Sequence, residues 1–169
     1  MQRNGTNISA IAAIAIIVGA VLFMFTGGSG TDTTPPTTSV TPVSFIQLAS
    51  GMQSTETKSV NYLVTSKAEL TELWKIIDNG DDLVPPTVDF DRYDVVAVFA
   101  GRTPTAGYTI SVSEVEDGAS RAVTVLVERP GASCLPAESV TSPYQVIQLP
   151  KTNLPMTHSD VEKVLSCLR

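Results

Sequence analysis

Apolar positions along the chain change their spacing several times, and each change marks an element. From Ile8 to Phe25 the run ISAIAAIAIIVGAVLFMF carries no charge. As a helix it would span about 27 Å, close to the hydrocarbon thickness of a bilayer. Arg3 precedes the run and the next basic residue is Lys58. This asymmetry predicts a single-pass anchor over 8–25 with residues 1–7 cytoplasmic and the rest of the chain outside. No cysteine directly follows the run, so a lipid-anchored lipoprotein is not expected; the alternative is a signal peptide cut within TGGSG, whose apolar region would be longer than usual. Residues 26–43 are rich in Gly, Thr and Pro and read as an extended linker.

The folded part is expected over 44–169. SFIQLA (44–49) and VNYLVT (60–65) read as short strands. A helix is expected over 66–79. Ser66 and Glu69 form a capping box, Leu70, Leu73, Trp74 and Ile77 make one apolar face, and Asn79-Gly80 is a stop signal. Val95–Ala100 is apolar on both faces, as a central strand would be. From Tyr108, apolar Ile110 and Val112 alternate with Thr109, Ser111 and Ser113, as in a half-buried strand. A turn at Asp117-Gly118 leads into a strand over 122–128 with Val123, Val125 and Val127 on one face. YQVIQLPK (144–151) is the last expected strand. Ser159 and Glu162 repeat the capping-box spacing, and Val161, Val164, Leu165 and Leu168 suggest a short C-terminal helix. The pattern predicts an α+β domain with a mostly antiparallel sheet and one main packed helix.

Composition narrows the function. The net charge is -6, which disfavours nucleic acid as a partner. One histidine and two cysteines are too few for a zinc site, and no cofactor is implied. The aspartates of residues 78–94 lack the EF-hand pattern and read as a solvated loop, with Phe90 and Tyr93 tucked beneath it. The stretch THSD (157–160) places Ser, His and Asp side by side, which is not a catalytic triad, and no phosphate-binding glycine loop occurs. The sequence therefore reads as a non-enzyme. Cys134 and Cys167 are expected to pair in an exported domain.

Two turns share a chemistry. GRTPTAGYTI (101–110) and TSPY (141–144) each combine hydroxyls, a proline and a tyrosine. Arg102, Tyr108 and Tyr144 are residue types that anchor interfaces, with Pro104, Gly107 and Pro143 shaping the turns and Thr105, Thr141 and Ser142 beside them. One reading makes both tyrosines caps on the core. The other makes the two turns one protein-binding surface.

The ordered motifs DVVAVFAGRTPTAGYTI, PGASC and TSPYQVIQLPK resemble the C-terminal domain of the PrcB family of protease-complex subunits, over roughly residues 44–151. That resemblance implies a non-catalytic exported subunit associated with a cell-surface peptidase, and it supplies no catalytic or ligand site. The membrane anchor and the expected C-terminal helix depart from the pattern. A second likeness is local. TPTAGY resembles the NPTTGY wedge of chagasin-type cysteine-protease inhibitors, which would make Thr103–Tyr108 an inhibitory wedge. The other motifs of those inhibitors are missing, and Arg129-Pro130 is followed by Gly131 rather than an aromatic.

Overall fold

The computed structural model describes residues 39–77 and 83–167. The run expected to cross the membrane lies outside them, and no helix among the described residues is long and apolar enough to do so. Eight strands and one helix follow one another: β1 (Thr41–Pro42), β2 (Ile46–Gly51), β3 (Val60–Val64), α1 (Lys67–Ile77), β4 (Tyr93–Phe99), β5 (Thr109–Asp117), β6 (Arg121–Pro130), β7 (Tyr144–Pro150) and β8 (Met156–Leu165). The first strand falls inside the stretch read as linker.

The strands form two four-stranded sheets rather than one, in the orders β1-β5-β6-β8 and β2-β7-β4-β3. All pairings are antiparallel except β6 with β8. The hydrophobic pattern carries the reason for two sheets. β5 and β6 each have one apolar face, and Ile110, Val112, Val115, Val123 and Val125 turn it towards Val96, Val98, Ile147 and Leu149 of the second sheet. The opposite face of β4 and β7 presents Val95, Ala97, Phe99, Tyr144 and Val146 to Leu70, Leu73, Trp74 and Ile77 of α1. The second sheet is thus covered on both sides, which is why β4 is apolar at nearly every position. Phe90 and Val88, from the end of the aspartate-rich stretch, pack against the helix-side core as expected for Phe90.

The helix starts where the capping box puts it. The Ser66 hydroxyl accepts a hydrogen bond from the Glu69 amide at 3.3 Å. The Glu69 carboxylate reaches one residue further back than the usual box, accepting from the Thr65 amide at 2.7 Å. That bond is the main cause holding Glu69 below its usual carboxylate pKa.

The expected C-terminal helix is a strand. Met156–Leu165 pairs in parallel with Arg121–Pro130 over its whole length. The spacing of Val161, Val164 and Leu165 implied a buried helical face, yet both valines are exposed and no such face forms. The long ladder with β6 satisfies the backbone, so the Ser159–Glu162 spacing caps nothing. Cys134 and Cys167 form a disulfide that ties the loop after β6 to the chain just beyond β8.

Two buried polar residues join the layers. Gln145 of β7 accepts a hydrogen bond from the Val112 amide at 2.6 Å and donates to Gln47 at 2.7 Å. Val112 lies where the β5–β6 register shifts, so Gln145 satisfies an amide at an irregular point of the ladder. Arg121 is 2% exposed. Its guanidinium donates two bonds to Asp117, at 2.7 and 2.8 Å, and a third to the Pro150 carbonyl. Its own amide donates to the Pro155 carbonyl. One side chain therefore pins the β5–β6 turn to the end of β7, beside the start of β8.

Two predictions follow from these contacts. Replacing Gln145 with Leu leaves the Val112 amide unpaired, and the loss is expected at about 2 kcal/mol, with faster hydrogen exchange at Val112. Replacing Asp117 with Asn strands the buried guanidinium and costs roughly 3 kcal/mol near neutral pH. Arg121 holds the Asp117 carboxyl below its usual pKa. The stabilisation is therefore complete above the unfolded value, about 3.9, and is lost as pH falls through the folded pKa. Urea midpoints at neutral pH and below pH 4 should show the gap between wild type and Asp117→Asn closing with acid.

Candidate functional site

The two turns singled out in the sequence meet at one end of the domain. Thr103 and Thr141 form an isolated antiparallel bridge. The Thr103 amide donates to the Thr141 carbonyl at 2.8 Å, the reverse bond is 3.2 Å, and the two hydroxyls lie 2.7 Å apart. The Ala100 amide donates to the Pro143 carbonyl at 3.0 Å. This arrangement follows from topology, because β4 and β7 are neighbours and each turn continues one of them past the same sheet end.

Within this pair the turns have different roles. Thr141, Ser142, Pro143 and Tyr144 are buried. Tyr144 stacks on Phe99 at 6.0 Å and belongs to the helix-side core. Gly51 makes room for it, since a Cβ there would sit 2.7 Å from the tyrosine ring. The other turn forms the lip. Arg102, Pro104 and Gly107 are exposed, while Thr105 and Tyr108 are half-buried. Gly107 has a φ of 91° and faces the Pro130 ring, a left-handed conformation that suits glycine.

A third segment, unmarked in the sequence reading, completes the site. Residues 52–58, between β2 and β3, fold against both turns. The Arg102 amide donates to the Thr57 carbonyl at 3.2 Å, and the Ser142 amide donates to the Met52 carbonyl at 2.9 Å. The Ser142 hydroxyl donates to the Glu56 carbonyl at 2.6 Å. Gly101, with φ 73°, permits this approach, because a Cβ there would lie 2.5 Å from the Lys58 backbone. The only trace of this contact in the sequence is the glycine at the end of an apolar strand.

The lip separates two concavities of opposite character. On the Arg102 side, a polar cleft of about 310 Å³ is lined by Gln53, Ser54, Thr57, Thr141 and Ser142. Arg102 is its only basic lining residue among the described residues, and its guanidinium makes no hydrogen bond or ion pair with them. The acidic member, Glu56, accepts the Tyr62 hydroxyl proton at 2.7 Å. That bond raises the Tyr62 pKa. On the other side, Ala106, Gly107, Pro130 and Leu135 line a smaller apolar cleft of about 200 Å³ beside the disulfide. Leu135 is 82% exposed. An unpaired guanidinium and a nearby exposed apolar side chain suit contact with a protein surface. Among the described residues no cluster of His, Cys, Asp or Glu is arranged to hold a metal ion.

No curated protein and no solved structure matches this chain. Residues 95–150 match the family model described as PrcB C-terminal, a stretch that opens within β4, closes with β7 and contains both turns. Over those residues the chain is similar to the PrcB C-terminal family, which supports the resemblance read from the motifs.

Proposed function

We propose that this chain is a membrane-tethered, non-catalytic accessory subunit whose outward-facing domain binds and positions a cell-surface peptidase. The observation that carries this reading is the lip over residues 101–108, where Arg102 offers a guanidinium with no partner among the described residues next to a polar cleft, inside the family-matched stretch. The PrcB family suggests a domain associated with a protease complex, and the apolar run over 8–25 suits an anchor. Partner binding rests on Arg102, Pro104 and Tyr108 at the lip. Thr141, Ser142, Pro143 and Tyr144 hold that lip from beneath.

The experiment is capture from native envelope with the full chain as bait, followed by assay of peptidase activity in the eluate. Active peptidase is expected with wild type and roughly tenfold less with Arg102→Glu, the effect of losing one strong interface anchor. Equal recovery with the variant would overturn the assignment of the lip. A captured peptidase whose activity is suppressed would instead support the wedge reading, in which Thr103–Tyr108 blocks a peptidase cleft.

A further inference from the structure

The two margins of the paired sheets are built differently. On one margin the chain crosses directly from β1 in one sheet to β2 in the other. Val43 and Phe45 of that crossing pack into the core between the sheets and close it. On the opposite margin lie β3 and β8, each the last strand of its sheet. No crossing closes this side among the described residues. A cleft of about 260 Å³ opens there between the sheets, lined by Leu63, Val96, Val98, Val123 and Met156, with His158 among its lining residues. A second cleft, about 710 Å³, runs between β3 and the helix, lined by Val64, Ala68, Leu73 and Ile76. Leu63 borders both and is 48% exposed.

Among the described residues, strand β3 thus has an unpaired edge, with an apolar cleft above and another below. Side chains of a strand alternate between its two faces. A strand laid along β3 would therefore send alternate side chains into the two clefts while its backbone paired with the free edge. The geometry points to β3 as a strand-addition site that takes an extended segment of a partner protein.

The site also dictates the segment's composition. Its nearest analogue is β4, which lies between the same two layers and reads Val95, Val96, Ala97, Val98, Phe99, apolar on both faces. The acceptor is the five-residue strand Val60–Val64, so a run of about five apolar residues matches it. The charged residues lining the clefts are Glu69 and Glu72, and no lysine or arginine lines either among the described residues, although Lys75 beside them pairs with Glu72 at 2.6 Å. Basic residues flanking the apolar run complement them. A second copy of this chain would bring the same glutamates against each other, in a protein of net charge -6. The first described strand, β1, lies at the far margin, where it pairs with β5. This site stands independently of the lip and of what the lip binds.

The test uses the full chain and a capped, dye-labelled peptide, Lys-Lys-Val-Val-Ala-Val-Val-Lys-Lys, with binding read by fluorescence anisotropy. Saturable binding is expected, together with slowed amide exchange in β3. N-methylation of alternate valines should abolish binding, since it removes backbone pairing and leaves the side chains in place. Leu63→Glu should weaken binding roughly tenfold, as loss of a central anchor does. Glu72→Lys, on the exposed helix surface, should weaken it several-fold and serves if Leu63→Glu fails to fold. The site is overturned by absence of binding, or by binding indifferent to N-methylation and to both variants. It is equally overturned by a concentration-dependent dimer of this chain that Leu63→Glu abolishes, because the edge would then serve a second copy.

Discussion

Burial of one sheet on both faces organises the rest of this domain. The β4–β7 pair has Val95, Ala97, Phe99 and Val146 against α1, and Val96, Val98, Ile147 and Leu149 against the other sheet. A strand enclosed in this way must satisfy its backbone within its own sheet, and the continuous β4–β7 ladder from Tyr93 to Phe99 does so. The ends of these two strands are consequently fixed in relation to each other. The turns that continue them, at 101–108 and 141–144, inherit that fixed spacing. A lip held from beneath by Thr141, Ser142 and Pro143 would meet a partner with little conformational freedom left to lose, which favours binding.

Polar residues in the interior align the layers as well as adding to stability. Gln145 joins the sheets where the β5 register slips, and Arg121 collects a turn and a strand end around one guanidinium. Each carries polar groups with specific geometric demands into an apolar interior, so it fixes one stacking of the layers over others. The disulfide extends the same logic to the lip. It fastens the 131–140 loop to the chain beyond β8, and the Ala106 amide donates to the Ala137 carbonyl of that loop. The exposed Leu135 is thereby held beside Gly107.

Much of this was legible in the residues, and the exceptions have physical causes. The helix was readable because Ser66, Glu69 and four apolar residues at helical spacing agree with one another. β4 was readable as a central strand because only a doubly covered strand needs apolar residues on both faces. The division into two sheets was harder to see, since a one-faced strand such as β5 has the same pattern in either arrangement. The terminal strand was misread as a helix because its residues are mostly exposed, so their spacing carries no record of burial. At the site, the pairing of the two turns was an open question until the β4–β7 register answered it. Tyr108 and Tyr144 look equivalent in sequence, yet Tyr144 is buried against Phe99 while Tyr108 stays half-buried at the lip. Segment 52–58 left little signal, because the bonds that fix it to Arg102 and Ser142 run largely through the carbonyls of Met52, Glu56 and Thr57, which any residue supplies.

The central claim is that the lip over residues 101–108 is the face through which the domain meets its peptidase. Site-specific photocrosslinking tests it most directly, with a photoreactive residue placed at exposed Pro104 and, in a second chain, at exposed Ser113 on β5. Irradiation in native envelope is expected to give an adduct bearing peptidase activity from position 104 and none from position 113. An adduct from 113 alone, or none from 104 while the chain still co-purifies with the peptidase, would contradict the account.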